Sequence, residues 1–160
     1  MASSFFEKAY LMLSLDEGIR DQPYDDATGV PLIAPFGLIT IGIGRNLDAN
    51  PLEQRVIRLI FRIDLRVARK DAVAVVGLET WNRLSENRKL GLVNLAFNMG
   101  RTRLSGFKKM IAAIKAQDFV EAGKELRDSL WASQVDRNGR AGEGRDDRVI
   151  SLIEKDRYDY

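Results

Sequence analysis

The 160-residue chain contains no cysteine and no histidine. Without Cys there is no disulfide framework and no thiol nucleophile. Without His, imidazole-ligated zinc hydrolysis, Cys–His chemistry and the Ser–His–Asp triad cannot be assembled. Long apolar runs are also missing. No segment approaches the roughly 20 apolar residues of a membrane span, so stable membrane insertion is not expected. The opening MASSFFEKAYLMLSLDEG has no basic start and no small-residue cleavage pattern, and acidic residues follow its apolar run. A signal peptide is therefore not expected, and synthesis in the cytoplasm is. Neither charge sign dominates: 25 Lys and Arg face 23 Asp and Glu, for a net +2 and a pI near 9.0. That balance suits an anionic polymer without requiring one. No basic–aromatic pattern points to a nucleic acid. No metal or other cofactor is implied. Carboxylate chemistry is what remains.

The stretch from Asp16 to Asn46 concentrates the candidates. Glu17 is followed at once by Gly18, and nine positions later comes Asp26, within Tyr24-Asp25-Asp26. Thr40-Ile41-Gly42-Ile43-Gly44 closes the stretch, alternating like a strand, with glycines that allow close backbone approach. Two carboxylates in different backbone contexts are what glycosidic hydrolysis needs. One protonates the leaving oxygen, and the other steadies or activates the attacking group. Surface carboxylates are common in a chain that is 30% charged, so a pair alone says little.

The order of residues says more. Glu17-Gly18, then Tyr24-x-Asp26-x-x-Gly29, then Thr40-x-Gly42-x-Gly44 resembles the signature of the T-even phage lysozyme family, glycoside hydrolase family 24. The resemblance implies Glu17 as the catalytic acid, Asp26 as the second carboxylate and Thr40 as the third member, holding a water. Asp25 is the obvious rival to Asp26, but the Tyr24-x-Asp26 register favours Asp26. Two departures stand out: a ten-residue connection from Val30 to Ile39, and Arg45 where the family commonly has His. The second half resembles the same family at Asn94-Leu95-Ala96-Phe97-Asn98-Met99-Gly100, at Gly106-Phe107, at Asp128-Ser129-Leu130-Trp131 and from Arg145 to Ile150. It implies a supporting arginine for Glu17. Arg145 is the first choice, with Arg140 and Arg148 as alternatives. Tyr24, Asn46, Phe97 and Asn98 follow as substrate-binding candidates, Asn98 at a cleft floor. For Phe97 and Trp131 an ordinary core role is the plainer reading.

Local signals set the element plan. Ser3 or Ser4 caps a first helix, with Glu7 completing a capping box after Ser4, and Gly18 ends it. Glu17 then sits at a helix C-terminus, where the macrodipole disfavours a carboxylate. Residues 19–46 read as a small β region, with Leu38 to Ile43 as a strand and the apolar Leu32, Ile33 and Phe36 packed on the domain. Asn50-Pro51 starts a helix to about Val75, with Leu52, Val56, Ile60, Ile63 and Val67 on one face and Ile57, Phe61 and Ala68 on a neighbouring one. So apolar a helix reads as internal, a connector. Arg55, Arg58, Arg62, Arg66 and Arg69 form one basic stripe, ordinarily a solvated face and otherwise a contact for anionic wall polymer or lipopolysaccharide. Further helices end near Gly100, run from Gly106 to about Ala116, start at Asp118 and end near Ala132, and run from about Arg145 to Lys155 after a loop at 136–144.

The fold class expected is α+β, mainly α. The resemblance implies a lysozyme-like single domain over 1–160, with a β-hairpin lobe at about 15–50, a connecting helix at about 51–76 and a helical lobe at about 77–160. It implies a monomeric muramidase acting on bacterial peptidoglycan, at the β-1,4 bond between N-acetylmuramic acid and N-acetylglucosamine. The alternatives are a lytic transglycosylase and a virion-associated wall-degrading domain. Made in a host cytoplasm without a signal, such an endolysin would depend on a phage holin to reach the wall from the periplasmic side. Otherwise it travels in the virion.

Overall fold

The computed structural model describes residues 4–24, 28, 30–31, 39–135 and 144–160. Expectations that fall on Ser3, Asp25, Asp26, Leu32, Ile33, Phe36, Leu38, Arg140 and the 136–143 loop lie outside the described residues. The chain is mainly helical with one small antiparallel hairpin, so the expected α+β, mainly α, lysozyme-like class holds.

Helix α1 spans Phe5–Glu17. The Ser4 hydroxyl accepts from the Glu7 amide at 3.3 Å, relieving one orphan donor of the first turn. Gly18 ends the helix at φ 78°, a left-handed conformation that a side chain resists, and its amide bonds Ser14 O at 3.0 Å. One face of α1 buries Ala9, Met12 and Leu13. Another carries Phe6 and Tyr10, which meet Phe61 edge-on at 5.6 and 5.3 Å between ring centres.

Of the strand expected from Leu38 to Ile43, the part formed among the described residues is two residues long and turns at once into a tight hairpin. Strand β1 is Thr40–Ile41 and β2 is Arg45–Asn46, with Thr40 opposite Asn46. Gly42 and Gly44 take φ 56° and 73°, so the glycines turn the chain where the alternation suggested continuation. The next helix also starts later than Asn50-Pro51 predicts. Leu52 donates its amide to Asp21 O at 3.0 Å, and Arg45 Nη2 donates to Pro51 O at 2.6 Å. Those bonds hold residues 51–52 in the link to the hairpin, and α2 runs Gln54–Val76 with Glu53 at its cap.

The reading of α2 as internal is also corrected. Its core face is Leu65, Ala68, Ala72 and Val76, while Leu59, Ile60, Ile63 and Val67 are exposed. Helix α3, Leu78–Arg83, then leads to α4, Glu86–Leu104, capped by the Ser85 hydroxyl on the Arg88 amide. Leu90, Leu92, Val93, Asn94, Leu95 and Ala96 are all buried, so α4 is covered nearly all round and forms the axis of the core. It packs on α1, on α2 and on α8, Arg145–Glu154. Gly100, at φ 72° and ψ 169°, breaks α4 where the helix end was expected, and one further turn follows.

Helices α5 (Lys108–Lys115) and α6 (Phe119–Arg127) follow, the latter capped by Asp118 Oδ1 on the Glu121 amide at 3.0 Å. Helix α6 does not continue to Ala132 as expected. The Ser129 hydroxyl bonds Leu126 O and accepts from the Ala132 amide, closing one helix and capping the next, α7 (Leu130–Val135).

Candidate active site

Glu17 stands on the last turn of α1, with its side chain 38% exposed. The macrodipole penalty at that position is offset by Arg145, the first residue of α8, whose Nη2 donates to Glu17 Oε1 at 2.7 Å. Arg145 is itself 9% exposed and also donates to Asn94 Oδ1, at 3.3 Å from Nε and 3.0 Å from Nη2. A guanidinium held at two points on a buried amide has little freedom left, so the Glu17 oxygen it grips is held too.

The residue behind this arrangement is Asp16, which the sequence reading passed over. Its side chain is fully buried (0% exposed) and gathers three donors: Asn94 Nδ2 at 2.7 Å, Arg148 Nη2 at 2.8 Å and Tyr160 Oη at 3.1 Å. Arg145 Nε lies 3.5 Å away. Two adjacent carboxylates on α1 thus face two arginines three residues apart on α8, a spacing that puts both guanidinia on one helix face. That i, i+3 arginine pair was the available signal. Burial, with the Asp16 charge and hydrogen bond added, pushes the Tyr160 phenol far above its ordinary value, against an opposing pull from Arg148. For Arg148, burial lowers the pKa most, yet the Asp16 bond and charge outweigh it and hold it raised.

The other candidates occupy distinct positions. Thr40 is exposed on β1. Asn46 Oδ1 accepts from the Asp48 amide at 2.9 Å and the Ala49 amide at 3.3 Å, which ties it to the turn after the hairpin. Tyr24 bridges to Pro31, with Arg20 stacked 5.5 Å from its ring centre. Asp26 and its rival Asp25 lie outside the described residues. Phe97 is half-buried against Phe61. Asn98 Oδ1 accepts from Trp131 Nε1 at 3.0 Å. Trp131 is 6% exposed, so the core reading for it holds, but its indole edge also orients the amide.

Asn98 and Trp131 form part of the wall of a groove of about 920 Å³, with Phe107, Met110, Leu130 and Gln134. Glu17 and Arg145 are not in that wall. The two regions are joined by α4, where Asn94 meets Arg145 and Asn98 falls one turn further on. The groove wall also carries Arg103, Lys108, Lys109, Glu125 and Asp128, so it mixes apolar, amide and charged groups. Among the described residues, no group of three acidic side chains could hold a metal ion.

The sequence model of a family described as phage lysozyme matches residues 15–148. Probable T4-type lysozyme 2 of Dictyostelium discoideum is 29% identical, over 89% of this chain and 91% of that protein. Probable T4-type lysozyme 1 of the same organism is 30% identical with the same coverage. The pre-baseplate central spike protein Gp5 of Enterobacteria phage T4 is 30% identical over 89% of this chain, which spans 27% of Gp5.

Proposed function

Because the chain belongs to the phage lysozyme family, we propose that it is a peptidoglycan hydrolase, a glycosidase that cuts the β-1,4 bond between N-acetylmuramic acid and N-acetylglucosamine. The observation that carries this reading is Glu17, exposed at a helix end and fixed by the buried Arg145 at 2.7 Å. Glu17 delivers its proton to the glycosidic oxygen as the bond to the anomeric carbon breaks. Asp26, with Thr40 holding a water, takes the proton of that water as it attacks the anomeric carbon from the opposite face. The configuration inverts. Carboxyl groups roughly 6.5–9.5 Å apart leave room for the water, whereas about 5–5.5 Å favours a covalent intermediate. Tyr24, Asn46, Phe97 and Asn98 are read as substrate contacts, and the chain as one domain divided at about 50 and 76.

The biological setting belongs to the same proposal: a monomer made in the host cytoplasm, reaching the wall through a holin-dependent opening and causing host lysis. The similarity to a central spike protein favours a second setting, carriage in the virion. The test is turbidity loss of purified peptidoglycan, wild type beside Glu17→Gln and Asp25→Asn, with fragments read by mass spectrometry. Reducing muramic-acid ends that vanish with Glu17→Gln and persist with Asp25→Asn are expected. Lysis by Glu17→Gln would sink the assignment, and 1,6-anhydro ends would make the protein a transglycosylase.

A further inference from the structure

The exposed half of α2 divides lengthwise into two strips. Leu59, Ile60, Ile63 and Val67 are 58, 41, 47 and 54% exposed and fall on one apolar strip. Beside it run Arg55, Arg62, Arg66 and Arg69, and Lys70 falls in the same row as Ile63, seven residues on. Arg55 pairs with Glu53 at 2.8 Å. Among the described residues, no carboxylate forms an ion pair with Arg62, Arg66, Arg69 or Lys70. Arg66 Nε donates to Arg62 O at 3.4 Å, which lays it along the helix surface, whereas Arg62 lies 4.2 Å from the Phe6 ring centre on α1 and Arg69 lies 6.0 and 5.8 Å from the rings of Phe5 and Trp81.

Charge is concentrated here. The six basic and two acidic residues of α2 give it a net +4, while the whole chain is only +2, so everything else together is −2. We propose that this face of α2 docks on the surface of an anionic phospholipid bilayer. The apolar strip enters the boundary between headgroups and acyl chains, and the guanidinium groups sit among the phosphates. Asp64 and Asp71 mark the far edge of the apolar strip, so the helix rolls toward its basic side and keeps them in water. A soluble polyanion would require the cations but not four exposed branched side chains. Pairing of two copies through this strip would bring the same basic rows together, and like charges disfavour it. The face lies on the side of α2 opposite Leu65, Ala68 and Ala72, which bind it to the core, so docking leaves the packing intact.

The full chain should co-sediment with phosphatidylcholine vesicles only when they contain phosphatidylglycerol, with partition falling as salt rises. A basic residue near such a surface is worth about fivefold, so Arg66→Gln/Lys70→Gln should lower the partition coefficient roughly 25-fold. Ile63→Ser/Val67→Ser should lower it about tenfold while the helical circular dichroism is retained. Peptidoglycan turnover by both variants should match wild type. No partition onto phosphatidylglycerol vesicles would overturn the proposal. So would an unaffected Ile63→Ser/Val67→Ser variant that, like wild type, binds polyphosphate as well as vesicles. A concentration-dependent dimer in sedimentation velocity, lost in Ile63→Ser/Val67→Ser, would assign the strip to a second copy instead.

Discussion

Asp16→Asn is the sharpest perturbation of the site that leaves Glu17 itself untouched. The substitution keeps the shape of a side chain that is wholly buried and removes the charge that Arg148 and Arg145 face at 2.8 and 3.5 Å. Arg145 and Arg148 are themselves only 9 and 19% exposed, so water cannot replace the lost partner cheaply. Removing one member of a buried pair costs roughly 3–5 kcal/mol, because the other charge stays buried and uncompensated. For a chain of this size each kcal/mol lowers Tm by about 2–4 °C, so the expected loss is about 6–20 °C, measured by circular dichroism at neutral pH. Arg148→Met should cost a similar amount alone. The double variant should lose less than the two single losses added together, because each removes the other's unpaired charge. Rates on peptidoglycan at a temperature where Asp16→Asn remains folded should also fall, since Arg145 would be freer to leave Glu17. A Tm within about 2 °C of wild type, or strictly additive losses in the double variant, would refute the claim that Asp16 organises this end of the fold.

Three other outcomes follow from the same structure. A Cβ on Gly91 would meet Ile153 Cγ1 at 2.8 Å and Leu152 Cβ at 3.3 Å, so Gly91→Ala should cost about 1–3 kcal/mol by overpacking α4 against α8, read as a lowered urea midpoint. Tyr160 has its folded-state pKa raised, as does Tyr158, so their contribution to stability is complete below the unfolded value near 10 and is lost as pH rises beyond it. Tyr160→Phe should lower stability by about 1 kcal/mol at pH 7 and make the alkaline loss shallower, followed by urea melts from pH 7 to 11. Trp131→Phe removes the indole donor to Asn98 and should raise KM for wall fragments more than it lowers kcat, which steady-state kinetics would separate.

What the residues revealed in advance was local chemistry. Ser4, Gly18, Gly100 and Asp118 mark helix ends by what their own backbone or side chain does within four positions, and the structure uses each of them there. The hairpin at Thr40–Asn46 was misread because alternation and glycine give opposite instructions, and positive φ at Gly42 and Gly44 decided it. Helix α2 offers two apolar rows. Which one faces inward depends on the small Ala68 and Ala72, which let α4 approach, and nothing within α2 announces that. Asp16 was invisible for a related reason: its partners Asn94, Arg148 and Tyr160 are 78, 132 and 144 residues away.

Those separations also fix an order of events during synthesis. Helix α1 receives Asn94, Arg145, Arg148 and Tyr160 at its C-terminal end, and its Lys8 carbonyl accepts from the Tyr158 hydroxyl 150 residues later at 2.9 Å. Closing loops of that length must precede the contacts that reward it. At roughly 5–20 residues per second, the segment bearing Glu17 leaves the ribosome on the order of 6–25 s before residues 145–160 are made. Through that interval Glu17 has no arginine to pair with. The Glu17–Arg145 pair and its Asp16 support therefore form late, with the completion of α8 and of residues 155–160.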